Sequence, residues 1–511
     1  MYSNSRIVLN TAVIYMRLIF AIVVSLFSTR YILIALGESD FGIYNLIAGV
    51  VALFAFISNT MAGTTQRFVS YNMGSGNIET VKKVFYNSCI IHLFISLIVV
   101  ILVESIGLYL VNHVLSIPVA KLSDAKFVLH CVTFGLVFTI VTVPYEAVLM
   151  AHENIIFVSL VNIFNYTVRL IGAILLLNVN DNRLRLYAFI MACIPLMCFI
   201  LQALYCRIKY VETKYKWHRL NDLSLIKEMS TYAGWVIIGV TCGTIRTQGA
   251  AMLLNIFYGV LANAANGIAM QVNGLLQQFS ASITTSIRPQ LVKSTGENNI
   301  NRMLSLTYAA CKYPTLLLLL FGIPLVITMP YVLELWLKVV PDNTVIFCRL
   351  LLLSLVFSQL TMGLTIAIEA TGRVKTLHLV VGLMHVISIP IAYFLFKLGA
   401  PPQTVYLCII GEEILAATLR LILSRRIIHI DIIFFLKHIV IRILFIIFVV
   451  GMTGVILWYL LPENFVNLFL LCIGCVISFI LALLVYGLDK TECRTVMVIL
   501  RSGYNKIRSI I

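Results

Sequence analysis

Residues 8–31 read VLNTAVIYMRLIFAIVVSLFSTRY, a stretch whose only charges are Arg17 and Arg30. Crossing a bilayer takes about 20 mostly apolar residues, and this run is long enough. It is too long for the core of a signal peptide and lacks a small-residue cleavage site at its end, so it reads as an uncleaved first span. Outward from it the same pattern recurs. Further runs lie at 41–63, 86–111, 126–149, 155–177, 186–206, 229–255, 260–286, 303–329, 345–368, 376–396, 404–424, 438–460 and 466–487. The chain has 511 residues, 61% of them hydrophobic and 11% charged, against about 45–50% and about 25% in soluble domains. A water-soluble fold of this size could not cover its core with so few charges. The expected fold class is an all-α polytopic membrane protein with about fourteen transmembrane helices.

Every connection is short. The longest, 207–228, leaves no room for an extramembrane domain. The formal net charge is +16, which in a soluble protein would suggest nucleic acid. No basic–aromatic nucleic-acid module is present, and Lys and Arg cluster instead in short connections. With the N-terminus placed inside, inner segments carry roughly 23 Lys and Arg against 5 outside (Lys121, Arg183, Arg185, Lys338, Lys397). That bias points to an even number of spans with both termini cytoplasmic. The 12 Cys are scattered through apolar runs. Cys472 and Cys475 form a C-x-x-C, but with no His or charged neighbour they read as packing residues.

An internal repeat is visible. TTQRFVSYNMGSGNIETVKKVFY (64–86) and TTSIRPQLVKSTGENNINRMLSLTY (284–308) share Thr-Thr, then Arg67 or Arg288, a Gly-containing turn ending in Asn, and Tyr86 or Tyr308. The period is roughly 220 residues, or six spans, and transporters are often built from such repeats. It divides the chain into a six-helix lobe at 1–206, a cytoplasmic linker at 207–228, a second six-helix lobe at 229–424, and two extra helices with a basic cytoplasmic tail at 425–511.

Charges deep in a bilayer are costly and face a protein interior or a wet cavity. Arg17, Arg169 and Arg246 fall near mid-depth. Deep acids are Glu104, Glu412 and Glu413. A basic lumen suits phosphate or carboxylate, which Arg binds bidentately. Polar residues also recur at helical spacing: Asn162, Asn165, Tyr166 and Arg169; Asn266, Asn273, Gln277, Ser280 and Thr284, continued by Arg288; Asn45, Asn59 and Gln66; Thr241, Thr244 and Gln248. Such offsets stack on one side of a helix. A single amide of this kind is most simply helix–helix glue. The long stripe together with three deep arginines favours a hydrophilic cavity lined by Asn59, Asn162, Asn165, Asn266, Asn273, Gln277 and Gln248.

No G-x-S-x-G, P-loop or H-E-x-x-H occurs, and His92 and His385 stand alone in apolar stretches as core residues. Neither a catalytic centre, a metal site nor a cofactor is expected.

The stretch from Asn10 to Asn77, with Asn10, Tyr15 and Arg17, then LGESDFGIYNL (Gly37, Asp40, Gly42, Tyr44), then TQRF and GSGN, resembles the N-terminal region of Wzx-type polysaccharide repeat-unit flippases. These belong to the multidrug/oligosaccharidyl-lipid/polysaccharide (MOP) exporter superfamily. QLTMGLTIAIEATGRVKTLHLVVGLMHVISIPIAYFLFKLGAPP, with Gly372 and Pro390, is also similar to the family. The resemblance implies two six-helix lobes in a V around a central cavity, followed here by two C-terminal helices. It implies flipping of undecaprenyl-pyrophosphate-linked oligosaccharide repeat units, such as those of O-antigen, across the bacterial cytoplasmic (inner) membrane for polysaccharide biosynthesis. Membrane lipids, a glycan polymerase and a co-polymerase are the implied partners.

The combined expectation is an alternating-access flippase. Arg17, Arg169 and Arg246 would hold the anionic headgroup, and Glu104, Glu412 and Glu413 are candidates for ion coupling. Three rivals stand beside it. An ion-coupled drug or metabolite antiporter would need a functional deep acid in the N-terminal lobe. A membrane glycan polymerase would turn over without two compartments. A scaffold would have no use for buried arginines.

Overall fold

The computed structural model describes residues 2–113, 117–179, 182–214, 222–337, 340–462 and 464–487. The tail beyond 487 lies outside them, and so do the side chains of Asn45, Asn59 and Asn263. Among the described residues the chain is helical throughout, with no strand. In hydrocarbon each backbone N–H and C=O must be satisfied within its own segment, and a helix does this.

The rods are α1 (Tyr2–Gly74), α2 (Ile78–His113, continued through a π turn at Val103–Gly107), α3 (Leu122–Ala151), α4 (Ile155–Leu175), α5 (Arg183–Lys209) and α6 (Leu223–Gly296). They continue with α7 (Ile300–Leu337), α8 (Thr344–Thr371), α9 (Val374–Lys397), α10 (Thr404–Ile428), α11 (Ile432–Leu460) and α12 (Phe465–Gly487). α1 bends at Gly37 (φ 72°) and α6 at Gly259 (φ 78°), a backbone state that glycine alone enters freely. With each bent rod read as two limbs, the described residues hold the fourteen segments expected. Among the described residues, eleven spans are long and apolar enough to cross a membrane. α10 is not among them because Glu412, Glu413 and Arg420 lie along its middle; nor are the second limbs of α1 and α6, the latter with its amide stripe.

Helix starts follow the polar residue before each run. The side chains of Asn77, Asn154, Asp222, Asp431 and Asn464 accept backbone N–H bonds from the first turns of α2, α4, α6, α11 and α12.

The backbone repeats at a fixed interval. Gly37 and Gly259 are 222 positions apart, and so are the left-handed turn residues Gly76 and Asn298. The turn bonds match: Ser75 N to Tyr71 O and Asn77 N to Asn72 O on one side, Glu297 N to Lys293 O and Asn299 N to Ser294 O on the other. The ends of α1 and α6 cross at the paired glycines. A Cβ on Gly74 would collide with the Lys293 carbonyl, and one on Gly296 with the Tyr71 carbonyl. Both close approaches exist only because neither residue has a side chain.

The contacts divide the chain into two compact units. One holds Val8–Ile237 with Val292–Asn299. Its core joins α1, α2, α3 and α5 through Ile47, Val99, Val128, Leu129, Ile140 and Tyr187. Small residues set the spacing there: Gly135 of α3 packs on Ala192 and Pro195 of α5, as helices do when lipid supplies no hydrophobic drive. The other holds Ile238–Leu291 and the described residues from Ile300 to Gly487, with the described N-terminal residues up to Ile7. Phe347, Leu351, Tyr406, Phe396 and Leu254 centre its core.

Candidate functional site

In the second unit, the first limb of α6 and helix α9 lie side by side in constant register. Gly239 meets the His378 ring, Cys242 meets Gly382, Arg246 meets His385, and Gly249 meets Ile389. Two glycines, one on each helix, make this approach close enough for the Arg246 guanidinium to reach across to α10. Its Nη1 lies 2.9 Å from Glu412 Oε2 and 2.5 Å from Glu413 Oε1, and 3.2 Å from His385 Nδ1. His385 Nδ1 is itself 2.5 Å from Glu412 Oε1. Arg420, two turns along α10, reaches Glu413 Oε2 at 3.4 Å and donates to Thr361 Oγ1 at 3.0 Å.

The charges in this cluster balance. Two arginines face two carboxylates, and His385 completes the group. Arg246 is the most accessible member, with 19% of its side chain exposed against 5% for Glu412 and 3% for Glu413. His385, Glu412 and Glu413 could together offer three ligand atoms to a metal ion. The guanidinium nitrogen already sits between the two carboxylates, so a metal would have to displace it.

A second cluster lies nearer the α8–α9 turn. Arg288 Nη2 is 2.9 Å from Glu369 Oε2, and His378 Nε2 is 3.6 Å from Glu369 Oε1. His378 and His385 are seven residues apart, hence on one face of α9 and about 10 Å apart along it.

The first unit is arranged differently. No carboxylate of a described residue comes within salt-bridge distance of Arg17 or Arg169. Arg17 is within electrostatic reach of Glu146, on α3. Arg169 is exposed and within reach of Tyr44, Tyr187 and Cys198. Tyr44 and Tyr187 stack edge-to-face at 4.6 Å. On α4 below Arg169, Asn165 Nδ2 points to Cys198 Sγ at 3.8 Å, and Asn162 donates back to Val158 O at 2.9 Å. Glu104 occupies the π turn of α2, 2.8 Å from His130 Nδ1 of α3.

The residues singled out from sequence therefore separate into three groups. Arg246, Glu412 and Glu413, expected in different roles, form one cluster. Among the described residues, Arg17 and Arg169 have no acid at contact distance. The amides diverge: Asn266 is buried and accepts from the Tyr406 hydroxyl at 2.8 Å, a tie between α6 and α10. Gln248 and Gln277 are exposed, and Asn273 is half-buried. The Asn59 side chain lies outside the described residues. Arg420, His385, Glu369 and His378 take part without standing out in the sequence. His385 reads as a core residue from the sequence, because its acids are 27 and 28 positions away. Glu369 and His378 lie near the helix ends, where a charge attracts no notice. Glu146, exposed and within a span, was the one deep acid that a count of charges along 126–149 would have found.

No family model matches this chain, and no curated protein matches it at the sequence level. Solved structures do. A multidrug resistance MATE family transporter of the MOP superfamily, in an outward-facing conformation, matches with a TM-score of 0.68 at 12% identity, over 83% of this chain and 95% of the other. A MATE structure in the bent conformation gives 0.70 at 12%, over 84% and 96%. A MOP superfamily transporter from Pyrococcus furiosus, described as having a binding pocket of reverse polarity that suggests a different function, gives 0.67 at 13%, over 83% and 95%. The chain thus has the MATE-type fold of MOP superfamily transporters, and the alignment extends over nearly the whole of each neighbour.

Proposed function

We propose that this chain is a transporter that moves undecaprenyl-pyrophosphate-linked oligosaccharide across the bacterial cytoplasmic membrane by alternating access, for polysaccharide assembly. The observation that carries the reading is the state of Arg17 and Arg169. Two guanidinium groups sit on membrane helices with no carboxylate of a described residue at contact distance. A scaffold gains nothing from such charges, and a site for organic cations would be repelled by them. A pyrophosphate diester is the kind of anion they fit: its oxygens accept paired N–H donors, and it cannot cross hydrocarbon with its charges bare. Asn162, Asn165 and Tyr166, beside Arg169 on α4, would replace part of its water shell. The polyprenyl chain stays in lipid. Polarity is also what sets one MOP-fold neighbour apart from the others by its own description, so a basic site on this fold is a reason to expect an anionic cargo.

The test is reconstitution of the purified chain into liposomes with a fluorescent lipid-linked oligosaccharide. Arg17→Glu and Arg169→Glu should each slow its transfer between leaflets by about a hundredfold, since one charge-assisted contact of about 3 kcal/mol corresponds to about two decades. Insertion and yield should stay normal. Unimpaired transfer in both variants would refute the reading.

Glu146 favours a second reading, an ion-coupled drug or metabolite antiporter, because it places an acid within electrostatic reach of Arg17 among the helices of the first unit. A resistance phenotype lost in Glu146→Gln, with lipid-linked sugar transfer absent in the parent, would select it.

A further inference from the structure

Where α5 ends, four side chains outside the arginine clusters hold one another in place. Asn154 caps α4, its Oδ1 accepting from Phe157 N at 3.4 Å. That bond fixes which end of the amide carries hydrogens. Asn154 Nδ2 then donates to the Tyr205 hydroxyl at 2.8 Å and to the Tyr210 hydroxyl at 3.0 Å. Lys209, one turn beyond Tyr205 on α5, donates to the same Tyr205 oxygen at 2.8 Å. Neither an amide NH2 nor an ammonium can accept a hydrogen bond. Both phenol oxygens are therefore acceptors in these contacts, and each keeps its own proton to give. Neither proton has an acceptor among the described residues.

Stacking fixes the two rings. Tyr205 lies on Phe157 at 3.7 Å and Tyr210 on His152 at 4.0 Å. His152 is held in turn by Glu212 at 2.5 Å, so that carboxylate is already engaged. The two hydroxyls sit within 3.0 Å of one amide nitrogen, and the exposed Lys209 ammonium lies against one of them. That spacing lets the oxygens of a single phosphate take bonds from both hydroxyls while the ammonium balances its charge.

The surroundings suit a lipid phosphate better than a dissolved one. Leu201, Leu204 and Ile208 are exposed and spaced by three and four, which puts them on one side of α5. An acyl chain can lie along that stripe while its headgroup meets the tyrosines and the lysine, residue types that favour the bilayer edge. Arg207 and Lys214, also exposed at this end, add positive charge.

We propose that Asn154, Tyr205, Lys209 and Tyr210 form a binding site for the phosphodiester of an anionic phospholipid, in the leaflet at which α5 ends.

Native mass spectrometry of the purified full chain, released from micelles containing phosphatidylglycerol or phosphatidylethanolamine, tests this. The wild-type chain should hold phosphatidylglycerol about tenfold more tightly, because the ethanolamine ammonium meets Lys209 with like charge. Tyr205→Phe and Tyr210→Phe keep the stacked rings and remove one donor each; each should weaken retention by about tenfold. Lys209→Gln should abolish the preference between the two lipids. Asn154→Asp keeps the helix cap but draws both hydroxyl protons onto its own carboxylate, and should release the lipid with every donor still in place.

Unchanged retention when both tyrosines are replaced by phenylalanine would overturn the proposal. So would equal retention of the two lipids by the wild-type chain, a comparison that needs no substitution and stands even where a variant fails to fold. Displacement of phosphatidylglycerol by millimolar inorganic phosphate would overturn the lipid assignment and make dissolved phosphate the ligand.

Discussion

The two bent rods α1 and α6 have the same backbone and different chemistry. Each bends at a glycine of positive φ, each ends in a left-handed turn, and the two features recur 222 positions apart. At that same interval Arg246 stands where α1 has Val24, and Arg17 stands where α6 has Gly239. The repeat is thus one of turns and close contacts and does not extend to charge. Backbone geometry is shared because glycine and cap residues dictate it locally. Charge placement is free to differ because each arginine answers to partners on other helices. On α6 that partner set is two carboxylates from α10. On α1 no carboxylate of a described residue comes into contact.

The largest difference should come from neutralising the two arginines in turn. Arg246→Gln leaves Glu412 and Glu413 buried with one guanidinium fewer, and breaking a buried ion pair on one side costs about 3–5 kcal/mol. Arg17→Gln removes a charge that no contacting acid depends on, so stability should change by less than about 1 kcal/mol. Thermal unfolding of both variants in the same detergent measures this. Equal losses would mean that Arg17 has a structural partner after all, and the contrast between the rods would vanish.

The next test concerns what the rods share. Gly74→Ala and Gly296→Ala each place a methyl group against a carbonyl of the opposing rod, and overpacking of this kind costs about 1–3 kcal/mol. The two penalties should be alike, because the contacts are reciprocal. Smaller again are the bends. Gly37 and Gly259 have open space where a Cβ would go, so alanine there meets only the left-handed backbone penalty of about 1–2 kcal/mol. A large effect at one bend and none at the other would show that the two bends are held by different means.

How much of this was legible beforehand follows the same division. Apolar run length placed the fourteen segments, because a bilayer demands about 20 such residues and nothing else in the chain competes with that signal. The paired turns were visible as TTQRF…GSGN and TTSIR…GENN, because turn residues act locally. The Arg246 cluster was not. Sequence shows how deep Arg246, Glu412 and Glu413 lie but not that one guanidinium bridges both acids, because the packing of α6 against α9 and α10 is decided by Gly239 and Gly382, more than 140 positions apart. Assigning Arg246 to the headgroup and its acids to ion coupling treated as separate what the fold joins. The amide stripe shows the same limit: Asn266 and Gln277 share a helix face on paper, yet one is tied to Tyr406 and the other is open.

The smallest effect bears on acids that rely on histidine instead of arginine. Glu212, in the connection after α5, lies 2.5 Å from His152 Nε2. Burial pushes its carboxyl pKa up, but the hydrogen bond from His152 and the charges of His152 and Lys82 outweigh that, and the net shift is downward. A carboxylate held below its unfolded value contributes stability above that value and loses it as pH falls through the lowered one. The wild-type chain should therefore be more stable than Glu212→Gln at neutral pH, by about 1 kcal/mol for one charge-assisted bond. The gap should close as pH drops below about 4, where the unfolded carboxylate takes its proton. Melting temperatures of the two chains measured across that range give the sign directly. A gap that widens in acid would mean that burial dominates at Glu212, and that a lone histidine cannot do for a buried acid of the first unit what Arg246 and Arg420 do for those of the second.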